Sequence, residues 1–571
     1  MEKVDLIINN AKVFNSYFKK FIDANLIIRD GKFYYIDFKK ETQFQALKTI
    51  DAKDKYIIPG LIDIHMHIES SMLTPGPFCD HIVSCGVTTL VSEPHEIANV
   101  GGIDGVKEMI KAGENTIIDV FYGIPSSVPS TNDQLETTGG KIDFEDMKEL
   151  VNYSSVVCVG EVMNYREVIK DNNLEISKFI KYIKEKDPSY VIEGHCPSLL
   201  DLDLAKFLYL GIDGDHTEHT LEEIKQRFLN GMFLELQEKM IKKEIIDFVI
   251  ENNLYEHMSF VTDDVMVDDL NTKGHLNNVI KKAIDHGFPL EEAIYCGTYT
   301  PAKRMNLRDR GVIAPGKIAD FIILDSLKDF KIDRVFKKGK EVYGKNAELK
   351  EKESNYKFPE KYYNTVKLNE ITRDHFKVKV DPTLKEVKVR VMVVKDGTTQ
   401  LTEMIATLPV EDSFIQWEGS DYLLAAVFER YGKDGSIGYG FVTGDGLKRG
   451  AVASTWVHDH HNLLVVGSQI DTMVNVANLI IGQQGGIAVG DDGQVIANLP
   501  LPIGGIMSDR PIVEVSRNLA GVRKALLDLG YHHYNSIMSL GTYGLVVSPY
   551  LKITNKGLVD VPNGKIVDLI Y

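Results

Sequence analysis

A chain of 571 residues with 44% hydrophobic content can bury a large core and is expected to divide into roughly two to four domains. Its formal charge of −17 argues against a nucleic-acid backbone or an anionic membrane as partner, because both select basic surfaces, and favours a small neutral or cationic ligand. Five cysteines (Cys79, Cys85, Cys158, Cys196 and Cys296), odd in number and without a C-x-x-C pair, exclude a disulfide framework and a zinc ribbon and fit a reducing cytoplasm.

The N-terminal stretch MEKVDLIINNAKVFN has no apolar core behind a basic region, and no apolar run approaches a membrane span, so a soluble, unexported protein is expected. From Val4 to Ile57 short runs of β-branched and aromatic residues surround a turn at Asp30 and Gly31, which predicts a small sheet. The same texture returns after about Arg310 in GVIAPGKIADFIILD and VFKKGKEVYG, so the two flanks are expected to pair into one small β-sandwich domain, residues 1–57 with 308–345.

Between the flanks, strand-like runs alternate with helical stretches. The first run, in YIIPGLIDIHMHIESS from Tyr56 to Ser71, carries His65 and His67 two residues apart, so a strand would point both imidazoles, together with Asp63, the same way. That spacing alone is weak, since His458 and His460 repeat it. The runs are LIDIHMH (61–67), VTTLVSE (87–93), IIDVFYGI (117–124), SVVCVGE (155–161), YVIEGH (190–195), GIDGDH (211–216), MFLELQ (232–237) and MSFVTDD (258–264). Eight such runs separated by helices predict an α/β fold, a metal-dependent (β/α)8 TIM-like barrel over residues 58–307. Its catalytic face would be the C-terminal strand ends, which carry His65, His67, Glu161, His195, His216 and Asp263. Each residue has a bland account, as a structural histidine or a helix-capping carboxylate. Six residues of ligand type at one end of one barrel are better explained by a metal.

The charged, Pro-punctuated KNAELKEKESNYKFPEKYYN predicts a linker over 346–365. Beyond it, VKVRVMVV, GSIGYGFVTG and the helical SRNLAGVRKALLDLG predict a separate C-terminal α+β domain, residues 366–571. Its His458, His460 and His461 lie on or beside a strand, where a structural or interface role is favoured over metal binding. The paired Gln483-Gln484 and Gly485-Gly486 indicate a tight turn.

Through PGLIDIHMHIESSM, SEPHEIANVGG, GEVMN, EGHCP, GDHTEHTLEE, FVTDD followed by GHLNNVIKKAI, and LPLPIGGIMSD, essentially the whole chain resembles the prokaryotic-type adenine deaminases of the amidohydrolase superfamily. The family's second-strand motif usually reads Asp-Pro-His-Glu where this chain has Glu93-Pro94-His95-Glu96. Its sixth-strand SDHE appears as GDHTEH, leaving His216 or His219 as the ligand; His216 is favoured because it directly ends the strand.

The resemblance implies hydrolytic deamination of adenine to hypoxanthine and ammonia, in purine salvage, by a hydroxide shared between two divalent metals. One metal would be held by His65, His67 and Asp263, the other by His195 and His216, with Glu161 bridging. Histidine and carboxylate ligands without thiolate suit Mn²⁺, Fe²⁺ or Zn²⁺, and the resemblance favours manganese or iron. Asp263 is expected to shuttle the proton from hydroxide and Glu96 to protonate the ring, with His95 and Asp264 as substrate contacts. Asp264 would point away if the strand persisted. Expected partners are free adenine and further copies of the chain in a homo-oligomer such as a dimer, with neither nucleic acid nor membrane. Zinc deaminases acting within nucleic acids use His-x-Glu and Pro-Cys-x-x-Cys motifs that are not assembled here. The competing reading is hydrolysis of a cyclic amide, dihydroorotase-like or imidazolone-type.

Overall fold

Eight parallel strands pair in chain order, and each falls on one of the runs read from the sequence, the third and fourth extending one residue beyond it. They are β1 (Leu61–Met66), β2 (Val87–Ser92), β3 (Asp119–Pro125), β4 (Val156–Val162), β5 (Val191–Gly194), β6 (Gly214–Asp215), β7 (Phe233–Leu236) and β8 (Met258–Phe260) in a computed structural model that describes residues 2–41, 43–171, 173–344 and 356–571. Strands β1 and β2 are buried along their whole length, as parallel strands covered on both faces must be. The sheet comes round on itself at the C-terminal ends, where the Asp263 N–H donates to the His65 carbonyl at 3.1 Å and Met66 pairs with Asp263. Closure there brings the first and last strand ends side by side, and the barrel's ligand-type residues with them.

The crossover helices follow from their sequences. In Glu175–Lys186, EISKFIKYIKEK, the apolar Ile176, Phe179, Ile180 and Ile183 recur at helical spacing and are buried. Glu175 in the first turn and Lys184 and Lys186 in the last complement the helix dipole. The stretch from Tyr165 to Lys186 is not one helix: helices Tyr165–Val168 and Glu175–Lys186 flank a turn in which Asp171 Oδ1 accepts the Asn173 N–H at 2.8 Å. Asp side chains that bond the backbone two residues on compete with helix in this way.

Both flanks join one eight-stranded sheet, in which Phe321–Ser326 lies against Tyr56–Pro59, and Tyr56–Pro59 against Glu2–Asn15. That sheet encloses its own apolar cluster, including Leu6, Ile8, Leu26, Phe33, Phe321 and Phe336. The expected linker over 346–365 falls partly outside the described residues. Its described end is packed rather than loose, because Tyr362 is buried in the core shared with the barrel and its carbonyl accepts the Gly504 N–H at 2.7 Å.

The C-terminal part builds a nine-stranded mixed sheet with helices Ile470–Gln483 and Ile512–Asp528, and a three-stranded sheet near the end. Gln484, in the left-handed conformation, ends the first helix ahead of the predicted Gly-Gly turn. This region has a cluster of its own around Trp417, Phe428 and Phe441. It is nevertheless not separate from the barrel. Trp456, Ile503, Ile506 and Met507 belong to the same buried cluster as Ile68, Met72, Leu73 and Ile97, and the Ser508 N–H and carbonyl bond the Met72 carbonyl and Thr74 N–H at 2.9 and 3.0 Å. The C-terminal region thus seats directly beside the strand ends that carry the candidate ligands.

Candidate active site

Glu161, at the end of β4, is the hub. Its Oε2 lies 2.7 Å from His195 Nδ1 and 2.9 Å from His216 Nε2, while its Oε1 lies 3.5 Å from His67 Nε2. One carboxylate therefore faces two histidine groups, one through each oxygen. Asp263 completes the His65 and His67 side, with Oδ1 at 3.5 Å from His67 Nε2 and 3.8 Å from His65 Nε2. All six residues proposed from strand ends thus converge. His195 is the most open of them, its side chain 31% exposed, and marks the side from which the centre is reached.

Neighbours hold several of these side chains in place. The Glu93 carbonyl takes His67 Nδ1 at 2.8 Å, which leaves Nε2 facing the centre. Gln237 donates to Asp263 Oδ2 at 3.0 Å and to the His216 carbonyl at 2.9 Å, joining the ends of β6, β7 and β8. Asp263 has φ of 57°, a left-handed conformation costing a non-glycine residue about 1–3 kcal/mol and found mainly where function demands it. Because β8 stops at Phe260 and the chain turns at Asp263, Asp264 does not point away. It stands near His67 and Asp263, hydrogen-bonded by the Ser70 hydroxyl.

Two other expectations, for Asp63 and Glu96, are changed by the structure, while the preference for His216 over His219 agrees with the geometry. Asp63 does not join His65 and His67: its carboxylate accepts the Thr262 hydroxyl at 2.6 Å and the His65 N–H at 3.2 Å, a supporting role below the centre. His219 turns to Asp215 at 2.8 Å, where Arg227 also binds, so His216 alone of that pair reaches Glu161. Glu96 offers no free oxygen. Its Oε1 contacts His458 Nδ1 and its Oε2 contacts His461 Nε2, both from the C-terminal region. Burial alone would raise the Glu96 pKa, but His458, His461 and His95 beside it hold it well below the ordinary carboxylate range, which suits an anion and not a proton donor.

Glu69, two residues after His67, went unread in the sequence although it stands within PGLIDIHMHIESSM. It is wholly buried, its Oε1 accepts the Ile97 N–H at 3.2 Å, and its Oε2 has no hydrogen-bond partner among the described residues. Burial pushes its carboxyl up to about 7. Nothing in its periodicity separated it from the helix-capping carboxylates common after strands.

Residues 56–241 and 216–342 match the amidohydrolase family, and residues 399–565 match the adenine deaminase C-terminal domain. Over 570 residues the chain is 50% identical to an adenine deaminase of Clostridium perfringens, covering 99% of each. The chain belongs to the adenine deaminase family. A second relative, adenine deaminase 2 of Shouchella clausii, is 46% identical over 567 residues, again 99% of each chain. Among solved structures, N-acetyl-D-glucosamine-6-phosphate deacetylase from Mycobacterium smegmatis has 15% identity and a TM-score of 0.46, over 59% of this chain and all of that one.

The adenine deaminase C-terminal domain contributes His458, Asp459 and His461 to the same buried neighbourhood, and His461 pays for its position with a left-handed backbone, φ of 49°. The donor set of this family member fits a divalent metal. His65 Nε2 and His216 Nδ1 are buried without a hydrogen-bond partner among the described residues, and His65, His216 and Asp263 present ligand atoms within 4.8 Å of one another, as do Glu161, His195 and His216. Burial, and then the nearby His216 and His67, push His65 well below its ordinary pKa, toward the neutral form that ligates. Burial works against ionisation of Asp263, but its hydrogen bond with His67 and the charge on His216 outweigh it and keep the carboxylate anionic.

Proposed function

We propose that the chain catalyses hydrolysis of free adenine to hypoxanthine and ammonia: water adds through oxygen at C6, and the bond from C6 to the exocyclic nitrogen breaks. The observation that carries this reading is Glu161 placed between two histidine groups inside a chain that matches adenine deaminases from end to end.

Two divalent cations, manganese or iron before zinc, would be held by His65, His67, Glu161, His195, His216 and Asp263, and when bound they supply the Lewis acidity that makes a water nucleophilic at neutral pH. Asp263 takes the proton of the attacking water on its carboxylate and passes it to the departing amine. Gln237 holds the second Asp263 oxygen, so the carboxylate does not swing away between those transfers. As C6 becomes tetrahedral, charge develops on ring N1, and a carboxylic acid is needed there. Glu69, whose carboxyl burial pushes up to about 7 and whose Oε2 has no partner among the described residues, suits this role better than Glu96, whose two oxygens are taken by imidazoles. Asp264, oriented by Ser70, and His95 are the substrate contacts in this reading.

The same reading puts the enzyme in the cytoplasm, supported by five cysteines that are all free and buried. No helix among the described residues is long and apolar enough to cross a membrane. Assembly with further copies is supported by Leu202, Tyr209 and Leu229, exposed by 67%, 92% and 84% on successive barrel helices. The test is hypoxanthine and ammonia production from adenine by protein loaded anaerobically with Fe²⁺ or Mn²⁺. Ring opening of dihydroorotate or another cyclic amide, with adenine untouched, would transfer the chain to the competing reaction class.

A further inference from the structure

We propose that Arg523 of the C-terminal domain is a positioning residue, holding the loop after β8 so that Asp263 and Asp264 stay turned toward the Glu161 centre; this rests on the reading of those two residues given above. The loop spans residues 261–266. β8 ends at Phe260, the next helix is Val267–Lys273, and Asp263 between them has φ of 57°. A non-glycine residue keeps such a left-handed conformation only where its surroundings over-determine it. The helix does not fix its own entry, because Met266 at its N-cap makes no side-chain cap bond.

The barrel ties down the first half of the loop. Thr262 bonds Asp63 at 2.6 Å, the Asp263 N–H donates to the His65 carbonyl at 3.1 Å, and the Ser70 hydroxyl bonds Asp264. The second half is held from the C-terminal domain. Arg523 Nε donates to Asp268 Oδ2 at 2.5 Å, while its Nη2 donates to Asp268 Oδ1 at 3.4 Å and reaches the Met266 sulfur. This is the two-point grip on a carboxylate that a guanidinium makes and an ammonium cannot. The guanidinium is itself anchored, since Nη1 donates to Asn535 Oδ1 at 2.9 Å, and that oxygen also accepts the Met538 N–H at the start of helix Ser536–Gly541. Two turns earlier on helix Ile512–Asp528, Ser516 accepts Asn271 Nδ2 at 3.3 Å. Ser516 and Arg523 thus grip one face of Val267–Lys273, and Val267 and Leu270 are buried in the same cluster as Val515 and Leu519. The side chains of Arg523 and Asp268 remain 22% and 16% exposed, and ion pairs open to solvent contribute little to folding. What this pair fixes is the direction of a chain that turned at Asp263 a few residues before.

The experiment compares full-length wild type, Arg523→Ala and Asp268→Asn, each reloaded with Mn²⁺ and normalised to bound metal. Either variant should lose kcat for adenine by roughly 10- to 100-fold, as a misplacement of about 1 Å can cause. Because the effect runs through Asp263, adding Arg523→Ala to Asp263→Asn should lower kcat no further, whereas independent losses multiply. Hydrogen exchange without substrate reads the same contact: the segment 261–266 should exchange faster in both variants while β1 and β2 do not change. That measurement does not depend on the compound hydrolysed, so failure of the adenine reading appears as a wild type inert toward adenine, and failure of this proposal as variants that match wild type in exchange. A lower melting temperature with unchanged kcat and unchanged exchange over 261–266 would make Arg523 merely structural and overturn the proposal, as would multiplied losses in the double variant. Should Arg523→Ala fail to fold, Asp268→Asn, which leaves the guanidinium in place, carries the same test.

Discussion

Glu96 at the start of a barrel helix and His461 of the C-terminal domain, 365 positions apart in the chain, are in direct hydrogen-bond contact and both buried. Removing one partner of such a pair leaves the other buried without compensation, at a cost of about 3–5 kcal/mol. His461→Ala should therefore lower the melting temperature markedly, and a double-mutant cycle with Glu96→Ala should recover part of the loss. An unchanged melting temperature in the single variant would show that the contact contributes nothing.

The same docking predicts the behaviour of a fragment ending at residue 345. Cutting there exposes Met72, Leu73 and Ile97 to water, each such side chain losing about 1.5–3 kcal/mol of burial. The fragment should aggregate or bind hydrophobic dye, and neither hold metal stoichiometrically nor turn over adenine. A monodisperse fragment with full metal content, seen by size-exclusion chromatography and elemental analysis, would mean that the shared core is dispensable.

Ligand loss and catalytic loss should separate at two carboxylates. Asp263→Asn keeps its size and a carbonyl oxygen but cannot take a proton, so metal should largely remain while turnover falls by roughly 10²–10⁴-fold. Glu161→Gln should lose metal first, because a neutral amide neither balances nor joins two cations. Near-normal deamination by fully loaded Asp263→Asn would move the shuttle role to Asp264.

His216 and His219 offer a paired test. His216→Ala should reduce metal occupancy and activity. His219→Ala should keep the ions but lose stability, since it strips one partner from Asp215, whose carboxylate also carries Arg227. Metal analysis and thermal denaturation of the two variants distinguish the roles, and metal loss confined to His219→Ala would reverse the assignment.

Lys552 gives a pH signature outside the site. It is wholly buried, with Nζ donating to the Thr399 and Thr542 carbonyls at 2.8 Å each, and burial lowers its pKa to about 7 from 10.5. Below about 7 both folded and unfolded chains carry the proton, so the penalty for burying the charge is fully present. Between about 7 and 10.5 only the unfolded chain binds it, so stability should rise with pH across that window. The slope is at most about 1.4 kcal/mol per pH unit. In urea titrations at several pH values, Lys552→Met should lack this rise, and identical slopes in wild type and variant would refute the assignment.

The eight barrel strands were legible in the sequence because parallel strands buried on both faces are short apolar runs, and the change to His, Glu or Asp marks where each leaves the sheet. His65, His67, Glu161, His195, His216 and Asp263 are the residues that rule picks out. It weakens beyond the last ladder hydrogen bond, where period two no longer governs direction: the left-handed turn at Asp263 brings Asp264 inward, and Asp63 inside the strand turns to Thr262 instead. That His219 is turned to Asp215, whose carboxylate also carries Arg227, was visible only in the tertiary structure. The part least accessible to sequence was the meeting of Glu96 with His458 and His461. Local pattern reports on neighbours a few residues away, whereas contacts across 365 positions exist only once two cores have docked, and the burial that docks them leaves no periodic trace in the residues that meet.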